Sequence, residues 1–369
     1  MPHLPWDILR LVLDQLSSDY WPEREDGRSR SALLNCALVS KEFAQEVQSV
    51  LFRDIDLSRF YKYRHPLYWA FSSPNRDRLC SYVQVLHLPC VALQKHIAAV
   101  IGACSNLRSL WLQVSHAEDR DCLMECIQGA LLPLKKLTEI RLLHPTSIRA
   151  LSIVYNLPYR LGKLYIAGLY GYTHSLWDNP YEYIDVEEVH FAKSRMSEHW
   201  DDHFFYSLLE HELVKAPLSV LRIESSHCHF EFIPAATASN IRVLEVREAQ
   251  QLLKLDHLER FPNLERLGLG ARHNFISLTS SLPQIKHLTI YQCNEGLLKL
   301  LSQWLDRGQF CNLETVTFTE GALNLGSRAA EPVYSNSARL EEVIRCRNIR
   351  CIPSYTPVLA EIPKILKKV

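Results

Sequence analysis

Three short stretches of the chain carry residue types that catalysis or metal binding requires. His199 and His203 stand four apart, so two imidazoles share one face of a helix beginning near Ser197, a spacing at which both can ligate one zinc ion. A zinc hydrolase of the H-E-x-x-H type also places a glutamate directly after the first histidine, and Trp200 stands there instead. Glu198, Asp201 and Asp202 fit better as acidic residues near a helix N-terminus, where the helix dipole favours negative charge. In His227-Cys228-His229 the two histidines share one side of a strand end, but no third and fourth ligand follows at fixed spacing. Gly268-Leu269-Gly270 is not a dinucleotide loop, because His273 replaces the required third glycine. Neither a G-x-S-x-G elbow nor a G-x-x-x-x-G-K phosphate loop occurs. These residues predict a protein that is not an enzyme, with no catalytic residues, no metal and no cofactor. A metal hydrolase built on His199 and His203 would instead require stoichiometric zinc.

Composition narrows the class further. Apolar residues make up 47% of the 369 positions and charged residues 22%, as in globular domains with a sizeable core. Basic and acidic side chains balance at 41 each, which predicts neither nucleic acid nor an anionic membrane as partner. The eleven cysteines are odd in number and form no C-x-x-C pair, the closest spacing being Cys122 to Cys126. That usage reads as reduced thiols packed in a core, hence a cytoplasmic or nuclear protein. Met1 to Leu16 lacks the basic lead-in and unbroken apolar run of a signal peptide, and no stretch approaches the roughly 20 apolar residues that span a bilayer.

The pattern divides the chain into a helical module at 1–57, an aromatic and basic connector at 58–80, and a long remainder at 81–369. Pro5 suits a first helical position, and Ile8, Leu9, Val12, Leu13 and Leu16 recur at helical spacing. Residues 17–30 hold seven charged side chains with Pro22 and Gly27, which reads as a solvated loop. Ser31 is placed to cap a second helix through Leu33, Leu34, Ala37 and Leu38. Ser40 is placed to cap a third, with Phe43, Val47, Val50 and Leu51 on one face, and Ile55 to Leu57 leads out.

Beyond residue 81 the chain repeats. An apolar-x-x-apolar-x-apolar unit begins at Val83, Leu107, Leu137, Leu161, Val186, Leu218, Ile241, Leu264, Ile285 and Leu313, with a weaker copy at Leu340. The intervals run from 21 residues (Leu264 to Ile285) to 32 (Val186 to Leu218), mostly in or near the period of leucine-rich repeats, about 20–29. Connectors such as Leu93, Ile97, Val100, Ile101 and Leu297, Leu298, Leu301, Leu305 keep helical spacing. Each unit therefore predicts a short strand and a return helix. In a strand Leu110 and Leu112 face the stack while Trp111 faces away. One unit cannot bury its apolar face alone, whereas about eleven stacked units make a continuous core. The predicted fold is α/β: three N-terminal helices, then a curved solenoid with short parallel strands on its concave side and helices on its convex side.

The N-terminal module resembles the F-box. Leu4-Pro5-Trp6-Asp7-Ile8-Leu9 with Val12-Leu13 and Leu16 is similar to that family's first helix. Leu34-x-Cys36-x-Leu38-Val39-Ser40-Lys41-x-Phe43 resembles its leucine-valine-serine-lysine turn, and Val47-x-x-x-Leu51-Phe52-Arg53 its ending. The resemblance covers about fifty residues, and the repeats that follow look like the leucine-rich, fungal-type class of F-box proteins. Two features depart from that pattern: the charged loop at 17–30 is longer than usual, and the repeats mostly lack the asparagine or cysteine that follows each strand, Cys293 excepted. The resemblance implies docking onto a Skp-family adaptor and through it a cullin ubiquitin ligase, by Leu4, Pro5, Ile8, Leu9, Val12, Leu38, Val39, Ser40, Lys41 and Phe43. Physical reasoning agrees, because three short helices cannot hide so many apolar side chains without a partner.

Side chains between the apolar strand positions line the open face of the repeats: His87, Trp111, Arg141, Tyr165, His190, Arg222, Glu245, Gly268, Thr289 and Thr317. They mix aromatic, charged and small groups, and Trp, Tyr and Arg are enriched at protein-interface hot spots. The stripe is expected to bind a protein substrate for ubiquitylation. The other class of reading is a leucine-rich-repeat scaffold that never engages a ligase.

Overall fold

The computed structural model describes residues 35, 38, 40–57, 76–89, 94–114, 121–143, 145, 148–167, 183–192, 217–224, 230, 233–249, 253–271, 276–278, 280–292, 295–318, 340, 342–347 and 349–353. The expected first helix, the connector before residue 76, His199, His203 and residues 227–229 lie outside them. The expected third helix is present as α1 (Lys41–Leu51). Ser40 stands in extended backbone ahead of it, and its hydroxyl oxygen accepts a hydrogen bond from the Phe43 amide at 3.3 Å, satisfying one of the unpaired donors of the first turn.

The chain divides into two compact units at Leu161/Gly162. In the first, β1 (Asp54–Asp56), α2 (Arg76–Cys80), β2 (Val85–Pro89), α3 (Gln94–Ala103), β3 (Ser109–Gln113), α4 (Asp121–Leu131) and β4 (Glu139–Leu143) alternate strand and helix. The strands lie in the order β1-β2-β3-β4, all pairs parallel, and a 3-10 turn at Ile148–Val154 follows. The second unit holds β5 (Leu161–Ala167) from Gly162 onward and continues through β6 (Val186–Ala192), β7 (Val220–Glu224), α5 (Ala235–Asn240) and β8 (Val243–Ala249). After β9 (Leu253–Lys254) come β10 (Arg266–Ala271), β11 (Ile276–Ser277), β12 (His287–Gln292), α6 (Glu295–Asp306), β13 (Thr315–Phe318) and β14 (Arg350–Pro353). Its main sheet runs β5-β6-β7-β8-β10-β12-β13-β14, while β9 and β11 form a separate parallel pair.

The repeat pattern explains this order. All ten expected unit starts from Val83 to Leu313 are buried, as are the paired inner positions Leu86/Leu88, Leu110/Leu112, Ile140/Leu142, Leu244/Val246 and Leu288/Ile290. Register makes the repeat cooperative. Leu110 pairs with Leu86 and Ile140, so equivalent side chains stack from strand to strand. A repeated hydrogen-bond step locks each unit to the one before it. The amides of Arg108 and Ser109 both donate to the Gln84 carbonyl, those of Arg242 and Val243 to Ser219, and those of Glu314 and Thr315 to Lys286. Asparagines just before a unit start reinforce the step. Asn106, Asn263 and Asn312 donate their side-chain amides to the carbonyls of Ser81, Ser239 and Pro283 at 2.6, 2.7 and 2.8 Å.

Three expectations are corrected. The sheet starts at Asp54–Asp56, upstream of the first expected unit at Val83, because Ile55 and Leu57 alternate and are buried beside β2. The weak unit at Leu340 is helical, since Leu340 and Ile344 are four apart and both buried. The strand there is β14, whose Ile352 pairs with Thr317. Return α-helices do not follow every strand. Between β8 and β10, and again between β10 and β12, the chain uses β9, β11 and a 3-10 turn at Leu255–Arg260, and Pro262 and Pro283 in these short connectors oppose a longer helix.

Candidate binding face of the sheet

Each strand's middle residue lies on the face opposite its two buried neighbours, as period-two geometry requires. In the first unit Asp56, His87, Trp111 and Arg141 are consecutive register partners. In the second unit His190, Arg222, Glu245, Gly268, Thr289 and Thr317 follow one another the same way. Tyr165 meets the His190 ring edge-on, 4.7 Å between centroids. The expected stripe thus forms one contiguous row within each unit.

In the first unit three planar groups stack. The His87 and Trp111 rings lie 3.9 Å apart and 10° from parallel, and the Arg141 guanidinium sits 3.9 Å above the other side of the indole. Glu139 and Ser109, one register step to the side, hold this stack. Arg141 Nε donates to Glu139 Oε1 at 2.7 Å, Ser109 donates to Glu139 Oε2 at 3.0 Å, and the Trp111 indole N–H donates to Ser109 Oγ at 2.9 Å. Both faces of the indole are therefore occupied, by His87 and by Arg141. His87 is only 8% exposed, and burial pulls its pKa below the usual imidazole value; Arg141 acts in the same direction, against Asp56 and Glu139. Burial, then repulsion from Asp56, raises the Asp54 carboxyl.

The second unit carries a chain of ion pairs. Glu188 Oε1 pairs with Lys163 Nζ at 3.1 Å and with Arg222 Nε at 2.9 Å, and Arg222 Nη1 donates to Glu245 at 2.9 Å. Arg247 bridges Glu245 at 3.2 Å and Glu224 at 3.5 Å, and Glu224 lies 3.2 Å from His190 Nε2. Burial opposes the charge of Glu224, yet the hydrogen bond and charge of His190, with Arg247, hold its pKa below the ordinary carboxylate value. Burial likewise works against Arg247, but Tyr291, Glu245 and Glu224 raise it. The Arg247 guanidinium lies 4.1 Å above the Tyr291 ring, and burial with a hydrogen bond to Glu245 pushes the Tyr291 phenol up to about 12. Every arginine in this row faces a carboxylate of the same chain, so the surface offers shape, rings and balanced charge instead of one sign.

Sequence reasoning placed the middle residues and missed their flanks: Asp54, Ser109, Glu139, Lys163, Glu188, Glu224, Arg247 and Tyr291. Most stand two positions along a strand from a stripe residue, so period-two spacing carried the signal, as in Glu139-Ile140-Arg141. Gly268-Leu269-Gly270 is part of β10, as its repeat position predicts. Leu38 is 86% exposed and Ser40 caps α1, whereas Leu4, Pro5, Ile8, Leu9, Val12 and Val39 lie outside the described residues. Among the described residues no group of His, Cys, Asp and Glu is arranged to hold a metal, and no helix is long and apolar enough to cross a membrane. The described residues define an α/β protein of sequentially stacked parallel strands. No family model matches the chain, and no curated protein matches it.

Proposed function

We propose that this chain is the substrate-recognition subunit of a Skp–cullin–F-box ubiquitin ligase. Its N-terminal module docks on the Skp-family adaptor, and the strand faces of a curved leucine-rich-repeat solenoid hold a protein substrate. The observation that carries the adaptor half is Leu38. This large apolar side chain stands 86% exposed two residues before the Ser40 cap of α1, where the F-box resemblance expects adaptor contact. The substrate half is supported by the in-register rows of Trp, Tyr, Arg and His, which the chain's own helices leave on the face opposite the core. Such a subunit breaks no bond. It raises the local concentration of substrate beside the charged ubiquitin carrier.

Affinity capture from ligase-inhibited cells tests the reading, comparing the wild-type chain with Leu38→Ala/Val39→Ala. Burying each such side chain contributes about 1.5–3 kcal/mol, so losing both weakens adaptor capture by roughly a hundredfold or more. Substrates held by the repeats stay bound. A wild-type chain that brings down no Skp-family adaptor overturns the proposal.

A further inference from the structure

At the outer edge of the first unit's row a buried acceptor and two carboxylates converge. His87 has its side chain 10% exposed, and its Nε2 makes no hydrogen bond among the described residues. The Trp111 ring against one face fixes the plane of the imidazole. Its Nε2 points toward Asp54, 3.8 Å from Oδ1, which is too long for a direct hydrogen bond. Asp56 is the register partner of His87 on the same strand as Asp54, and the two carboxylates repel each other.

We propose that this corner is the seat for a lysine side chain of the protein partner, whose ammonium bridges His87 Nε2 and the Asp54 carboxylate. The inference rests on the reading of this face as the partner-binding surface. A donor nitrogen about 2.9 Å from each acceptor closes the gap, the ordinary length of such bonds. Burial keeps His87 neutral near pH 7, so the imidazole can accept rather than repel a cation. Asp54, with its side chain 42% exposed, leaves the seat open to a partner. The adjacent Asp56 carries a second negative charge that acts on Asp54. A compact ammonium suits one donor between two acceptors, whereas a planar guanidinium seeks two parallel bonds to one carboxylate. Further along the row Arg141 is already held by Glu139, so the acidic edge is where this unit discriminates by charge.

The test titrates the full-length chain with fluorescein-labelled hexalysine, with hexaserine and hexaglutamate as controls, near neutral pH and at two salt concentrations. Wild type binds hexalysine in preference to both controls. Asp54→Asn weakens that binding by about tenfold, the scale of one charge-assisted hydrogen bond. His87→Phe keeps a ring stacked on Trp111 and changes no charge at this pH, so a matching loss reports the seat and not the general field. Melting temperatures of both variants show that the fold is kept, and exposed Asp54 gives a variant that folds even if His87→Phe does not. Equal hexalysine affinity for wild type and Asp54→Asn, or no preference over hexaserine, overturns the inference. Capture of the Skp-family adaptor is measured on the same samples. Adaptor bound without hexalysine discrimination removes only this inference, and discrimination without adaptor removes only the ligase reading.

Discussion

Gly268 on β10 is the register partner of Glu245 on β8, and a methyl group added to it would stand 2.9 Å from Glu245 Cγ and 2.8 Å from Tyr291 Cε2. The missing side chain is what lets Tyr291 lie across the row beside Glu245 and under Arg247. The residue is small because of its neighbours, not because a turn requires it. Gly268→Ala must push Tyr291 or Glu245 aside, and Glu245 is itself buried and tied to two arginines. Overpacking of this kind costs about 1–3 kcal/mol, read as a lower denaturant midpoint at unchanged slope. Tyr291→Ala in the same background opens the space and recovers part of that loss, so a double-mutant cycle gives a coupling of opposite sign.

The asparagines before the unit starts make a second prediction. Asn263 and Asn312 each tie one unit to the carbonyl of the unit before it, at Ser239 and Pro283, and they share no partner. Replacing either with alanine removes one hydrogen bond worth about 0.5–1.5 kcal/mol, near the lower end because both are exposed. The double replacement is additive within about 0.5 kcal/mol. Chemical denaturation of the three variants measures this.

These two sites mark where the sequence was legible and where it was not. Val83, Leu107, Leu137 and their successors could be read because burial and period-two geometry act within one strand, over six residues. The stripe from His87 to Thr317 came with them, since fixing the inner positions fixes the outer ones. Contacts between strands were not legible. Gly268 meets Tyr291, and Arg222 meets Glu188, across register steps that depend on connectors of differing length. Asp54–Asp56 is too short to show alternation, and the spacing at Leu340 reads as a weak strand unit although Leu340 and residues 342–346 are helical. The resemblance expects an asparagine after each strand, whereas Asn106, Asn263 and Asn312 stand before one.

Tyr159 sets an alkaline limit on the first unit. Its hydroxyl donates to the Leu131 carbonyl at the end of α4 at 2.9 Å, and burial pushes its pKa up to about 12. The folded chain therefore holds this proton more tightly than the unfolded chain, where tyrosine titrates near 10. The resulting stability is intact below about pH 10 and is lost as pH rises toward 12. Tyr159→Phe costs about 1 kcal/mol at neutral pH through the lost hydrogen bond. It also flattens the fall in stability over the alkaline window, which urea titrations across that range would read.

Glu224 sets the opposite limit on the second unit. Burial alone would raise its pKa, but the His190 hydrogen bond at 3.2 Å and the Arg247 guanidinium at 3.5 Å outweigh it and hold the carboxylate ionised. A depressed folded pKa stabilises above the unfolded carboxylate value, and that contribution disappears as pH falls through the folded one. Acid therefore loosens the contacts at β6, β7 and β8 as this residue takes up its proton. Glu224→Gln removes the pH-dependent part while keeping a polar side chain of the same length. At neutral pH it costs about 1 kcal/mol, because Arg247 keeps Glu245 and only one charge-assisted contact is lost outright. The measurement is stability against pH for wild type and variant: the two curves converge in acid and separate above the carboxylate range. Parallel curves at all pH values would mean that the His190–Glu224–Arg247 contacts do not form as described.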